Sequence, residues 1–324
     1  LAQWAIFAFS ACVLWLGASL GKNERGLNGE TRIPFNVGGT EAFLSLVPAA
    51  DTFLRQTTTG ILNRAPLPAL LFALSGGQLL HNRNLTRTAR ALLLFLTGVI
   101  GYYAFAVQRE SISSWVGVVA TAAILLWTWL PRKSKFAFGL AAAMIGVVLY
   151  PVIYDYAGGD TEWSRSGISR MTLIRRVLQV TKRNPITGLG PASYRPYAAA
   201  EPLAHKQALW IVPQVNSHNN YVDVFAHTGI VGLGLFLWCM AEFGILGWRL
   251  CQSYTSRDFI AGYIHGVYAA FISMLVLMLL ADWFLPFVYN IGFFGFQASV
   301  LVWLFMGGMV SAKEIANEAT GDVV

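Results

Sequence analysis

The stretch VNSHNNYVDVFAHTGIVGLGLF, residues 215–236, opens on a serine, a histidine and three asparagines and closes in an apolar run. The run continues through FLWCMAEFGILGW, which is long enough to enter a bilayer: a hydrocarbon core of about 30 Å takes about 20 helical residues to cross. A titratable ring and several amides therefore stand where a membrane helix begins. That juxtaposition sets both the fold class and the place to look for chemistry.

The rest of the chain agrees on the class. Of 324 residues, 56% are hydrophobic and only 12% charged, against about 25% charged in soluble domains, and the mean hydropathy is +0.54. Apolar stretches fall at residues 2–20, 66–80 (short), 88–107, 111–130, 136–156, 220–247, 259–281 and 287–309. An all-α polytopic membrane protein with about eight transmembrane helices is expected. The sequence opens on Leu1 and enters a span almost at once, so further N-terminal chain is expected upstream. Cys12, Cys239 and Cys251 have no paired spacing, which gives neither a disulfide framework nor a metal site. Trp115, Trp129, Trp248 and Trp283 lie near span ends, as interfacial tryptophans do.

Charge orients the spans. The short loops at 81–90 (Arg83, Arg87, Arg90), 131–135 (Arg132, Lys133, Lys135) and 248–258 (Arg249, Arg257) are basic, so they are expected inside. Alternation then puts residues 22–65, 108–110, 157–218 and 282–286 outside and the tail 311–324 inside. The resulting organisation is N-terminal spans over 1–157 with the outer segment 22–65, an outer loop over 158–218, and C-terminal spans over 219–310. Glu41, Asp51 and Arg55 fall in the outer segment, with no role indicated.

The 158–218 loop carries eight basic residues, Arg165, Arg170, Arg175, Arg176, Lys182, Arg183, Arg195 and Lys206, against Asp160, Glu162 and Glu201. A solvated basic face beside lipid headgroups explains such a surplus; so does an anion site at the membrane surface. Within it, SRMTLIRRVLQVTKRNPITGLG predicts an amphipathic helix from Arg170 to about Lys182, capped by Ser169 and stopped by Asn184-Pro185. At about 100° per residue Arg170 shares a face with Ile174 and Val177, whereas Arg175 and Arg176 point elsewhere. An inward arginine needs an anion or a carboxylate, because an unpaired buried charge is costly. Gly188 and Gly190 permit a left-handed turn after the helix.

At the start of the next span, Asn216 or Ser217 is expected as the cap and His218 in the first turn. The orphan N–H groups and the macrodipole there favour an anion and disfavour imidazolium, so a neutral, proton-accepting His218 is expected. His265 and Asp223 lie in spans and Asp282 at the outer end of one; they read first as satisfied interior or interfacial groups, although His265 and Asp223 could mark a polar pathway and Asp282 could orient a base.

Taken together, SRMTLIRRVLQVTKRNPITGLGPASY followed by SHNNYVDVFAHTGIVGLGLF resembles the O-antigen ligase/polymerase superfamily of bacterial envelope glycosyltransferases. The shared pattern is an arginine-led helix, an NPxxGxG turn and a His-Asn start to a glycine-spaced span. The resemblance implies transfer of a glycan from an undecaprenyl-diphosphate carrier to an acceptor hydroxyl at the periplasmic face of the inner membrane, with no metal or other cofactor. By motif, His218 is the residue that activates the acceptor, and Arg170 engages the diphosphate. Arg109, in VQRESISSW, occupies the place of a further essential arginine, although its neighbours Gln108 and Glu110 depart from the usual Ser-Arg-Gly. Arg175, Arg176 and Asn219 are possible substrate contacts. His227 stands where many members carry an acid, so no role for that acid carries over. Lipid A-core, a second carrier-linked glycan or a protein are the acceptors compatible with the pattern, and membrane lipids, not nucleic acid, are the surroundings. A transporter of an anionic lipid-linked sugar would use a similar basic cluster, but would place charges or helix breaks near the midplane, often in duplicated halves. No such repeat is visible.

Overall fold

In a bilayer the backbone finds hydrogen-bond partners only within itself, so long apolar runs become helices. The computed structural model describes residues 2–44, 46, 66–191, 193, 196–197, 203–205, 208–210, 217–287 and 295–320. Among them are α1 (Ala2–Leu20), α2 (Glu24–Leu44), α3 (Pro66–His81) and α4 (Arg87–Tyr102), the last extended by a π turn at Tyr103–Val107. There follow α5 (Ile112–Trp129), α6 (Arg132–Tyr156), the short α7 (Gly159–Glu162), a second π turn at Trp163–Gly167 and α8 (Ile168–Thr181). The chain closes with α9 (Asn220–Ser253), α10 (Phe259–Leu277) and α11 (Gly295–Thr320). One departure from an all-α chain is a small antiparallel hairpin, β1 (Leu203–His205) with β2 (Ala208–Trp210), which pairs Leu203 with Trp210.

Among the described residues, six helices are long and apolar enough to cross a membrane: α4 with its π turn, α5, α6, α9, α10 and α11. The other two expected spans form as helices but are shorter, α3 with 16 residues and α1 apolar over Ala5–Leu20. The last span is described as a helix from Gly295, and residues 288–294 lie outside the described ones.

The core is built where small residues let backbones close up. α3 and α10 lie side by side with α5 across both; Gly77 abuts Gly266 and the Gly262 carbonyl, and Ser273 Oγ donates to the Gly117 carbonyl at 2.8 Å. Similarly, α1 packs along α11 through Gly17 and Gly307, and Ser311 Oγ donates to the Ala18 carbonyl at 2.7 Å. α6 buries none of its side chains within the chain.

The three basic loops gather at one end. The Arg83 N–H donates to the Arg257 carbonyl at 2.8 Å, and the Lys135 ammonium lies over the rings of Trp127 and Trp248 at 5.8 and 5.5 Å. The segment expected outside, 22–65, contains α2. α2 starts at this same basic-loop end, where Glu24, Asn28 and Arg32 share a cavity with Asn82, Asn84 and Asp258, and then packs along α3 and α4. Its polar residues hid it from a hydropathy count, yet Leu27, Glu30 and Thr31 are buried against the bundle. Glu41 lies near the far end of α2, while Asp51 and Arg55 lie outside the described residues.

Candidate active site

At the opposite end, the chain before α9 makes a tight turn that presents His218. Asn219 is the cap: its Oδ1 accepts the N–H groups of Tyr221 and Val222 at 3.1 and 3.2 Å. The expected cap at Ser217 is therefore displaced by two residues, Asn216 lies outside the described residues, and His218 precedes the helix instead of joining its first turn. Ser217 has another task. Its N–H and Oγ donate to Asp223 Oδ1 at 3.0 and 2.7 Å, and its Oγ accepts the Asn219 N–H at 3.1 Å. The Asn220 N–H donates to the Met278 carbonyl at 2.9 Å, and Asn219 Nδ2 to the Leu279 carbonyl at 3.2 Å, clamping the turn to the end of α10. Asn220 Oδ1 accepts the N–H groups of Phe284 and Leu285 at 3.0 and 3.2 Å, which fixes the segment after α10 as well. Between these bonds His218 takes φ 55°, a left-handed conformation that costs a non-glycine residue about 1–2 kcal/mol. Such strain persists only where surrounding bonds over-determine it.

The NPITGLG turn brings α8 to this histidine. α9 is broken at Gly229 (φ 67°, ψ −168°), and the turn fills the break. The Ala226 and His227 carbonyls, freed from helical partners, accept the N–H groups of Leu189 and Gly190 at 2.8 and 3.0 Å. Reciprocally, the N–H groups of Ile230 and Val231 donate to the Pro185 and Ile186 carbonyls at 2.9 and 3.3 Å. Gly188, at φ 74°, lies so close that a Cβ would stand 2.5 Å from backbone atoms of His227, Thr228 and Gly229. His227 joins the clasp: its Nδ1 is 3.0 Å from the Gly190 carbonyl and its ring stacks on Phe287. Below it Val177 and Val180 of α8 form one apolar cluster with Leu189 and Ala226. The helix itself starts earlier than the sequence indicated, at Ile168, because the π turn runs straight into it and leaves no place for a side-chain cap.

Arg170 and His218 both line a cavity of about 310 Å³, together with Tyr154, Glu162, Trp163, Ser166 and Ser217. Ile112, Met171, Ile174, Leu279 and Leu280 supply its apolar wall. Among the described residues no hydrogen bond or ion pair engages the Arg170 guanidinium or the His218 ring. Burial, and secondarily the charge of Arg170, pushes the His218 imidazole below its ordinary value. Burial and the neighbouring cation thus both favour the neutral ring.

The other expected residues are distributed around this centre. Arg109 is exposed at the same end, its guanidinium 4.7 Å from the Tyr156 ring centroid and its Nε 3.4 Å from the Tyr156 carbonyl. It stands beside the cavity, since Ala157 belongs to the lining and Arg109 does not. Arg175 is exposed and Arg176 is 7% exposed, and neither lines the cavity. Asn219 serves as the cap. His265 lies away from the site, stacked on His81 at 3.6 Å between ring centroids. Two contributors escaped the sequence reading. Glu162 lines the cavity, and the glycine turn, read only as a helix stop, is what joins Arg170's helix to His218's.

Residues 91–237 match the family model described as O-antigen ligase. No curated protein matches the chain. The matched stretch begins in α4 and ends beyond the break in α9, so it spans Arg109, Arg170, the glycine turn and the turn of His218. This multi-pass membrane protein therefore carries a domain of the O-antigen ligase family, an enzyme family that transfers glycans from lipid-linked donors to acceptors.

Proposed function

We propose that the chain transfers a glycan from an undecaprenyl-diphosphate carrier to an acceptor hydroxyl at the periplasmic face of the inner membrane, in the manner of an O-antigen ligase. One observation carries the reading: an arginine with no carboxylate partner and a histidine whose neutral form is favoured share one cavity, at the end of the bundle opposite the basic loops. His218 takes the proton of the acceptor hydroxyl as its oxygen attacks the anomeric carbon. The bond from that carbon to the diphosphate oxygen breaks, and the electron pair leaves on the diphosphate. Arg170 meets the developing charge with a planar pair of N–H donors, and Arg109 attracts the headgroup from the rim. A single displacement of this kind inverts the anomeric centre. The apolar wall of Ile112, Met171 and Leu279 suits the first isoprene units of the carrier.

The test uses purified protein in lipid with undecaprenyl-diphosphate glycan, offered separately lipid A-core, a second carrier-linked glycan and a pilin-type protein. Glycan is expected on lipid A-core; transfer only to a second glycan would make the protein a polymerase, and transfer only to protein an oligosaccharyltransferase. His218→Ala should abolish transfer and leave donor binding intact. Equal loss of both would make His218 structural.

A further inference from the structure

The Asp223 carboxyl is fully buried at the start of α9 and takes no part in the chemistry above. Its Oδ1 receives both donors of Ser217, the residue that precedes His218. On its other side lies the carboxyl of Asp282, which is also buried, in the segment after α10, and the Asp223 Oδ2 facing the interior meets no donor. Ionised carboxyl oxygens only accept, so two neighbouring buried carboxyls can bond to each other only with a proton on one of them. Two bare anions side by side in a dry interior would repel, whereas one shared proton leaves a single charge for the Ser217 donors to meet.

The pair thus links the turn before α9 to the segment after α10, two pieces of chain that Asn220 already holds together through the Phe284 and Leu285 N–H groups. His218 is the residue between these anchors, in a conformation it would not keep alone. We propose that Asp223 and Asp282 share one proton and act as a positioning pair, holding His218 in its left-handed turn and aiming its ring into the cavity. The inference rests on the reading of His218 as the base.

Substitution of Asp223 in the full chain, assayed in lipid, tests it. In Asp223→Asn, Oδ1 still accepts from Ser217 and Nδ2 donates to Asp282, so kcat should stay within about threefold of the parent. Asp223→Ala should lower kcat by about 10²-fold through misplacement of the ring, with KM for the lipid-linked donor held by Arg170. The carbonyl stretch of a buried protonated carboxylic acid should appear in the infrared spectrum of the parent protein and vanish in Asp223→Asn. Should Asp223→Ala not fold, Ser217→Ala removes one of the two links and should lower kcat by roughly tenfold, again without a change in KM. An Asp223→Asn protein as inactive as Asp223→Ala, or a parent spectrum without the acid band, overturns the shared proton. An unchanged kcat in Asp223→Ala or Ser217→Ala, with His218→Ala inactive, overturns the positioning. Full activity in His218→Ala would instead defeat the base assignment on which the proposal stands.

Discussion

Of the two cavities at opposite ends of the bundle, the larger leaves its polar groups the more fully paired. At the basic-loop end about 730 Å³ is lined by Glu24, Asn28, Arg32, Gln78, Asn82, Asn84 and Asp258. Most of these groups serve one another and the backbone. Asn82 Nδ2 donates to Gln78 Oε1 at 2.8 Å, Gln78 Nε2 to the Phe259 carbonyl at 3.0 Å and Arg32 Nε to Asn28 Oδ1 at 2.9 Å, while Asp258 caps α10. At the other end, in less than half the volume, Ser217, Asn219, Asn220 and Asp223 spend their hydrogen bonds on shaping a turn. That leaves Arg170 and His218 uncommitted. Volume does not mark the site. What marks it is a pair of strong hydrogen-bonding groups kept without protein partners by neighbours whose own bonds shape the turn.

The largest effect should come from the uncommitted cation. Arg170→Ala should lower kcat by about 10²–10³-fold, the size expected when one donor to a developing oxyanion is lost. Arg170→Lys should recover only part of this, since a single ammonium does not reproduce the planar fork. Transfer rates with a saturating lipid-linked donor measure both; a fully active Lys variant would mean that Arg170 acts as a point charge only.

Next in size is the clasp. Gly188→Ala forces a Cβ against the backbone of α9 and a left-handed φ on alanine, so it should cost roughly 1–3 kcal/mol. The change should appear as a lower Tm and a matching loss of active protein, with KM little altered in what remains. An alanine placed at an exposed turn of the basic-loop end, Asn84→Ala, should move Tm far less. If the two shifts are equal, the glycine turn is an ordinary connection and not the joint between α8 and α9.

That joint also shows where the sequence was legible. Spans announced themselves because a bilayer demands long apolar helices, and seven of the eight expected stretches coincide with helices to within a few residues. Arg170 and Ile174 share a face by helical period alone, and both do line the cavity. α2 was missed because Arg25, Glu30 and Arg32 lower its hydropathy, although its other face packs on α3 and α4. The clasp was missed for a different reason. Its bonds join residues 185–190 to residues 226–231, and no local pattern states that a broken helix receives a distant turn. The glycine at 229 was a signal only in company with those at 188 and 190. The cap moved to Asn219 because Ser217, an equally good cap by type, was taken by Asp223.

A smaller effect concerns pH. His218 lies below its ordinary value first through burial and then through Arg170, so its neutral form is favoured further into acid than that of a free imidazole. Activity that needs the neutral ring falls as pH drops through the folded value, so the acid limb of kcat/KM should lie below the ordinary imidazole pKa of about 6.5. Removing the neighbouring cation favours imidazolium, so in Arg170→Ala the residual activity should lose its acid limb at a higher pH. It should still not reach the free value, because burial remains. A limb that does not move would separate Arg170 electrostatically from the ring.

The smallest change is expected where the comparison between the two ends is most exposed to failure. Arg32 lines the larger cavity but already donates to Asn28 one turn away, and Arg175 is exposed on the far side of α8 from the site. Neither holds an orphaned group in place, and exposed substitutions away from such features cost within about 0.5 kcal/mol, or roughly twofold. Arg32→Ala and Arg175→Ala should therefore both retain transfer within about twofold of the parent. A tenfold fall in Arg32→Ala would give the basic-loop cavity a part in the reaction, and the same fall in Arg175→Ala would extend the anion site around α8. Either result would mean that a cation can contribute without lining the smaller cavity, and the criterion of uncommitted groups would lose its power to separate the two ends.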